Sequence, residues 1–408
     1  MSVETVDIID DFKWFVDSIF DEAIMKEGSD IHIEPWKNVL YIRYRIDWDI
    51  RLFYEIETKG SPENQSNLLT RIKIMAQLKI DESRIPQDWQ ISYKYKDAKT
   101  NKKEEVDMRV STFPVLNGEK IVIRLLRKDV KLLNINSLGF LQLNLKLINK
   151  ALKYKEGLVL VSGPTGSWKT TTLYAMLNSF NPMEHNISTL EDPVEYKMEW
   201  INQSQVRSEI WYDFSNGLRT LLRQDPDIIL VWEIRDRETA KLAIEAALTW
   251  HLVFGTIHAN RWSWVIERLV NMWIDAYLIA SSLRMILSQR LVKKLCSCGK
   301  EIELDNDQIA IFRDWLGHIR DSVGGNLHYR EKVGCDNCLW MGYDKRLWLH
   351  ETILFDKDIR KLINVNIDEK QWQDTIRNKN FLTLYQDGLL KAANGLTDLE
   401  QILPYKDV

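Results

Sequence analysis

The sequence predicts an α/β protein with a mostly parallel sheet, preceded by a smaller α+β domain. Three observations carry that expectation. Four short, largely apolar and uncharged runs (Leu158–Val161, Ile187–Leu190, Ile228–Val231 and Leu252–Thr256) alternate with helical patterns from about Asn144 onward. Continuous apolar strands between helices are those of a parallel sheet covered on both faces. The first of these strands runs into Gly163-Pro164-Thr165-Gly166-Ser167-Trp168-Lys169-Thr170, and a helix-forming run, Thr171–Leu177, follows. Before Asn144 the pattern is different, with amphipathic helices and alternating strands.

Taken in order, Phe12–Met25 has apolar residues at helical spacing. Val39–Asp47 alternates as a half-buried strand. A helix is expected over about Ser66–Ala76, then strands at Val106–Ser111 and Lys120–Leu126, with Leu116-Asn117-Gly118 as the hairpin loop between them. The division expected is a first domain over 1–130, a linker over 131–143 and a second domain over 144–408. The second domain includes a cysteine-bearing insert at about 294–342 and C-terminal helices over 355–403.

Composition bounds the function. The chain has 408 residues, a net charge of −4, 45% hydrophobic and 28% charged residues. That is the profile of an ordinary soluble globular protein without a global nucleic-acid footprint. The acidic start (Glu4, Asp7, Asp10, Asp11) lacks the basic region of a signal peptide, and no apolar run reaches 18 residues. A cytoplasmic protein is expected, reaching a membrane only through partners.

The glycine loop between strand and helix has the layout of a phosphate-binding loop. Backbone N–H groups and the helix N-terminus would cradle phosphates, Lys169 would reach the β- and γ-phosphates, and Thr170 would bind Mg²⁺. One position conflicts: G-x-x-x-x-G-K-[ST] calls for glycine where Trp168 stands. Glu233 ends the apolar strand Ile228–Val231, where a carboxylate can hold Mg²⁺ or its waters. Glu191-Asp192-Pro193-Val194-Glu195 places three carboxylates after another strand, one of which could orient water or bind metal. His251 and His258 flank the strand Leu252–Ile257, where they could sense or position a γ-phosphate, which the spacing by itself does not decide. Arg219 and Arg223 lie one turn apart on a helix, while Arg109 and Arg124 lie on adjacent strands. Cys296-Ser297-Cys298 and Cys335-Asp336-Asn337-Cys338 hold all four cysteines. Four clustered thiols in a cytosolic protein predict structural zinc, although the first pair is one residue short of the usual spacing.

Together these segments resemble the secretion-ATPase superfamily, the motors of type II secretion and type IV pilus assembly. Gly163–Thr172 is similar to the family's GPTGSGKTTT, Leu230–Asp236 to ILVGEIRD, Glu191–Glu195 to its aspartate box, and Thr249–Asn260 to TGHLVFGTLHAN. Ser29–Pro35, Arg43–Asp47, Ile85–Asp88, Asp107–Ser111 and Gly118–Lys120 resemble the first family domain. The resemblance implies a RecA-like P-loop NTPase core, a PAS-like N-terminal domain and a four-cysteine insert, assembled as a homo-hexamer that hydrolyses ATP with Mg²⁺. Residues Gly163, Pro164, Thr165, Gly166, Ser167, Trp168, Lys169, Thr170 and Thr171 would bind the nucleotide. Glu195, then Glu191, would orient water. Glu233, His258, His251, Arg219, Arg223, Arg109 and Arg124 complete the implied catalytic set. The four cysteines favour an assembly or secretion motor over a retraction motor. The implied partner is an inner-membrane platform protein, with no direct nucleic-acid contact or membrane insertion. The chain begins almost at the second family domain, so the expectation is that platform contact uses other surfaces or that the chain is a short form. Two other readings stay open: a non-hydrolysing scaffold, if Trp168 blocks the loop, and a nucleic-acid motor.

The tryptophans are the main departure. Trp48, Trp89, Trp168, Trp211, Trp232, Trp250, Trp264, Trp273, Trp340 and Trp348 stand where the family has glycine, and Trp262 stands at a small-residue position. The chain has 16 tryptophans and 17 glycines, about 4% glycine where roughly 7% is usual. Ten such changes put the largest side chain where turns or close approaches need none. The expectation is a gene in which UGA encodes glycine; restoring ten glycines gives 27, about 6.6% of the chain.

Overall fold

The computed structural model describes residues 4–6, 11–47, 49–59, 62–96, 101–126, 134–316, 328–363 and 381–406. The chain forms two compact units, Met1–Lys128 and Asp129–Val408. Trp48, residues 131–133 of the expected linker, 317–327 of the expected insert and 364–380 of the expected C-terminal helices lie outside the described residues.

The first unit contains β1 (Glu4–Val6), α1 (Phe12–Met25), β2 (Asp30–Pro35), β3 (Val39–Ile46), β4 (Asp49–Glu57), α2 (Pro62–Met75), β5 (Gln87–Lys96), β6 (Lys103–Val115) and β7 (Gly118–Leu126). The sheet order is β1-β4-β3-β2-β7-β6-β5, antiparallel except for the β1–β4 pair. Asp11 starts α1 by accepting from the Lys13 and Trp14 N–H groups, at 2.8 and 3.0 Å, the usual N-cap device. The helix then buries Phe15, Val16, Ile19, Phe20, Ala23 and Ile24. On β3 burial alternates, with Leu40, Ile42, Tyr44 and Ile46 inward.

The second unit contains α3 (Gln142–Ala151), β8 (Gly157–Ser162), α4 (Lys169–Leu177), β9 (Ile187–Glu191), β10 (Asn202–Gln205), α5 (Phe214–Leu221), β11 (Ile228–Val231), α6 (Arg237–Leu248), β12 (Leu252–Ile257), α7 (Trp262–Asn271), α8 (Ala276–Ser282) and β13 (Leu283–Leu295). A small ribbon of β14 (Lys300–Glu301) and β15 (Arg330–Glu331), with α9 (Asn306–Leu316), precedes β16 (Tyr343–Leu354). Helices over Lys357–Ile363, Leu384–Ala393 and Leu399–Ile402 follow.

The seven-stranded sheet runs β10-β9-β11-β12-β8-β13-β16. Six strands are parallel, and β16 pairs antiparallel with β13. The four apolar runs form the centre, and their alternate residues enter two cores. Leu158, Leu160, Ile229, Val231 and Val253 face one core; Val159, Val161, Ile228, Leu230 and Phe254 face the other. This is why these strands are apolar on both faces, apart from a few buried hydroxyls and Glu191 at the end of β9. The sheet is larger than the four strands expected, because β10, β13 and β16 extend its edges.

Backbone conformation singles out the tryptophans. Among the described residues, Trp168, Trp200, Trp211, Trp250, Trp273 and Trp340 have φ between 61° and 68°. A left-handed conformation costs a side-chain-bearing residue roughly 1–2 kcal/mol. Six of them sum to about 6–12 kcal/mol, comparable with the roughly 5–15 kcal/mol net stability of a folded protein.

Candidate active site

The chain leaves β8 at Ser162, turns over residues 163–168 and enters α4 at Lys169. Gly163 is required here. At φ 153°, a Cβ on it would stand 2.6 Å from both the Gln289 carbonyl oxygen and Ser167 Oγ. Ser167 closes the turn by donating its hydroxyl to the Pro164 carbonyl at 2.8 Å. Lys169 Nζ folds onto the same loop, donating to the Gly163 and Pro164 carbonyls at 3.0 and 3.1 Å. A cleft of about 390 Å³ beside it is lined by Gly163, Pro164, Thr165, His258, Asn260 and Trp264, among others. The loop and cleft lie at the carboxyl ends of parallel strands, where α/β sheets bind ligands.

Glu233, just past β11, is buried. Its two oxygens meet His258 Nε2 at 3.0 Å and Arg235 Nη2 at 2.5 Å. Burial pushes the Lys169 ammonium down to about 8, a shift that Glu233 opposes and Arg290 reinforces. Burial, then the Lys169 charge, also lowers His258. Lys169, Glu233 and His258 therefore form one electrostatic group beside the loop. Lys169 is half neutral near pH 8, and bound phosphates would recharge it. ATP binding at pH 8 is thus expected to take up protons, and affinity to decline as pH rises further. Calorimetry in two buffers of unlike ionisation enthalpy checks this; heats independent of buffer would contradict it.

The two histidines separate cleanly. His258 follows β12 at the loop end. His251 precedes β12, where its carbonyl accepts from Gly157 N–H at 3.0 Å, at the start of β8. Six strand residues separate them, about 20 Å at roughly 3.3 Å each, so the structure does not bring His251 to the loop. Glu191 ends β9 fully buried and accepts from Thr189 Oγ1 at 2.5 Å, from Gln203 Nε2 at 3.1 Å and from Tyr174. Burial raises its pKa. With three donors on its carboxylate, it braces the strand ends, whereas Glu195 lies in the partly exposed turn that follows. Arg219 pairs with Glu238 on the helix surface, and Arg223 donates to the Arg219 carbonyl at 3.0 Å. Arg109 and Arg124 face each other across β6 and β7 of the first unit, and Arg124 Nε donates to Asp30 at 3.1 Å.

Two residues on β13 had no signal in the sequence. Fully buried Gln289 donates from Nε2 to the Ser167 carbonyl and accepts from Thr172 Oγ1 at 2.8 Å, tying the end of the loop and the first turn of α4 to the sheet. Arg290 donates to the Asn260 carbonyl at 2.7 Å and holds the cleft wall. Gln289→Leu removes two hydrogen bonds worth about 0.5–1.5 kcal/mol each. Steady-state kinetics should show the KM for ATP rising about tenfold; an unchanged KM would remove Gln289 from this role.

Tryptophans crowd the loop. Trp168 caps α4 with its ring edge-on to Trp348 at 5.5 Å, and the Arg346 guanidinium lies 4.7 Å from its centre. Trp232 Nε1 donates to Thr170 Oγ1 at 3.0 Å, against the hydroxyl proposed for Mg²⁺. In the insert, Cys296–Cys335 and Cys298–Cys338 sulfurs are 3.8 Å apart and Cys335–Cys338 sulfurs 3.7 Å. All four lie within 4.8 Å of one another.

A phosphate loop at the carboxyl end of a parallel sheet, with a buried acid beside its lysine, places the chain among the P-loop NTPases. Comparison with known proteins narrows this. The family model described as "Type II/IV secretion system protein" matches residues 10–404, and the chain belongs to that family. It is 40% identical over 389 residues to Type II secretion system protein E of Pseudomonas aeruginosa, covering 95% of this chain and 74% of that one. It is 41% identical over 390 residues to the Type IV pilus assembly ATPase PilB of Myxococcus xanthus, covering 95% and 66%. Among solved structures, the pilus retraction motor PilT with bound ADP superposes with a TM-score of 0.60 at 25% identity, covering 96% of each chain. The Legionella pneumophila ATPase DotB, at 18% identity, superposes with a TM-score of 0.68 over 99% of each chain and shares the fold.

Proposed function

We propose that this chain is a motor that hydrolyses ATP to drive assembly of a pilus or secretion pseudopilus. The observation that carries the reading is the placement of Lys169, Glu233 and His258 around the loop of residues 163–168. Lys169 would move from the loop carbonyls to the β- and γ-phosphates. Thr170 and Glu233 are the oxygen donors suited to Mg²⁺, which would neutralise charge on the phosphates. Glu195 would orient the attacking water, and His258 would report the γ-phosphate to Glu233. Arg219 and Arg223, with Arg109 and Arg124 of the first unit, would offer cations to phosphates within a hexameric ring. His251 and Glu191 would serve as supports of the sheet.

The cysteine insert is proposed to hold structural zinc. Zn–S bonds of about 2.3 Å give tetrahedral S···S edges of about 3.8 Å, matching the 3.7–3.8 Å separations here. Elemental analysis should find one zinc per chain, lost in Cys335→Ser; a zinc-free native protein would refute this.

No helix of the described residues is long and apolar enough to cross a membrane. The motor is proposed to work at the inner face of the cell membrane through a platform protein. Deleting the gene in its own host should abolish surface fibres or protein secretion, and loss of neither would overturn the reading. A second reading, a non-hydrolysing scaffold, is favoured by the Trp232 contact with Thr170. It requires the tryptophans at the loop to be real.

A further inference from the structure

The structure assigns glycine, in the protein as the cell makes it, to positions 168, 200, 211, 250, 273 and 340, all written here as tryptophan. The inference rests on backbone conformation and stands whether or not the loop hydrolyses ATP. Among the described residues, six of the 14 tryptophans have positive φ. All other non-glycine residue types together supply seven. Glycine itself does so at eight of its 13 described positions. Positive φ is expected in only a few per cent of non-glycine residues, and those are enriched in Asn and Asp. Tryptophan in this chain therefore follows the backbone statistics of glycine.

The local motifs agree. Trp273 follows α7, where its N–H donates to the Val270 carbonyl at 2.8 Å and the Ile274 N–H to Leu269 at 3.2 Å. That pair of bonds defines the Schellman ending, whose left-handed residue is usually glycine. Trp250 holds the corresponding place two residues after α6. Trp340 sits two residues after Cys338 in the cysteine knuckle, and Trp168 is the left-handed residue on which α4 opens. Side-chain packing does not explain five of these conformations. Trp200, Trp211, Trp250, Trp273 and Trp340 are each at least 70% exposed. Trp200 adds an independent case, since nothing in the sequence pattern had marked it.

One cause accounts for all six: a codon decoded as tryptophan in the written chain and as glycine in the cell. UGA is the codon that can serve both readings, so the gene should carry UGA at each of the six positions. A UGG codon at any of them overturns the assignment there. Peptide mass spectrometry on protein purified from its own cells is the direct test. Glycine is expected in all six peptides, and tryptophan in any of them overturns the inference. A third measurement compares recombinant forms by thermal unfolding. The six-glycine chain should melt higher than the written one; an equal or lower melting temperature would contradict the backbone argument.

Discussion

Replacing Lys169 by alanine should lower kcat/KM for ATP by about 10²–10³-fold, the loss typical of one preorganised donor to developing charge. The ammonium is partly desolvated and held within the loop by two carbonyls at 3.0 and 3.1 Å. Its transfer to phosphate exchanges neutral acceptors for anionic ones, which form stronger bonds. Lys169→Arg keeps the charge but not the reach or shape and should recover little of the activity. The measurement is phosphate release by the protein and both variants made in its own cells. Activity unaffected by Lys169→Ala would mean that another site hydrolyses ATP.

The second large effect concerns the chain as written. Changing both Trp168 and Trp232 to glycine should tighten ATP binding by about 100-fold, equivalent to about 2.7 kcal/mol. At 168 an indole and its contacts with Trp348 and Arg346 stand where the loop backbone must approach a phosphate. At 232 the indole N–H engages the Thr170 hydroxyl. Each freed bond to a charged phosphate contributes about 1.5–3 kcal/mol. Titration calorimetry on the written chain and the double variant checks this. Equal affinities would show that the indoles do not obstruct the site.

The central strands were legible because both of their faces are covered, so the four runs in β8, β9, β11 and β12 carry no charged residue and only the small hydroxyls of Ser188, Thr189 and Thr256 among their polar groups. The strand β13 was not. It carries Arg284, Ser288, Gln289 and Arg290, all buried, which read as a polar segment in one dimension. Gln289 and Arg290 are buried because they brace the loop and the cleft wall, a reason visible only when residue 289 lies beside residues 163–172. In the first unit, β5 was missed because it is an edge strand in which Asp88, Trp89 and Gln90 are exposed in succession, so no alternating pattern marks it. The loop itself needs only local order, strand then glycines then Lys169, and sequence carries that well. The choice between His251 and His258 needs strand direction and neighbours, which β12 supplies by pairing with β8. The roles of Glu191 and Glu195 likewise separate only through burial and the donors around Glu191.

The most direct test is Mg²⁺-dependent ATP hydrolysis by the protein purified from its own cells. The motor reading predicts release of ADP and phosphate that stops when Mg²⁺ is chelated. Native protein that releases no phosphate, with Mg²⁺ present, would contradict it.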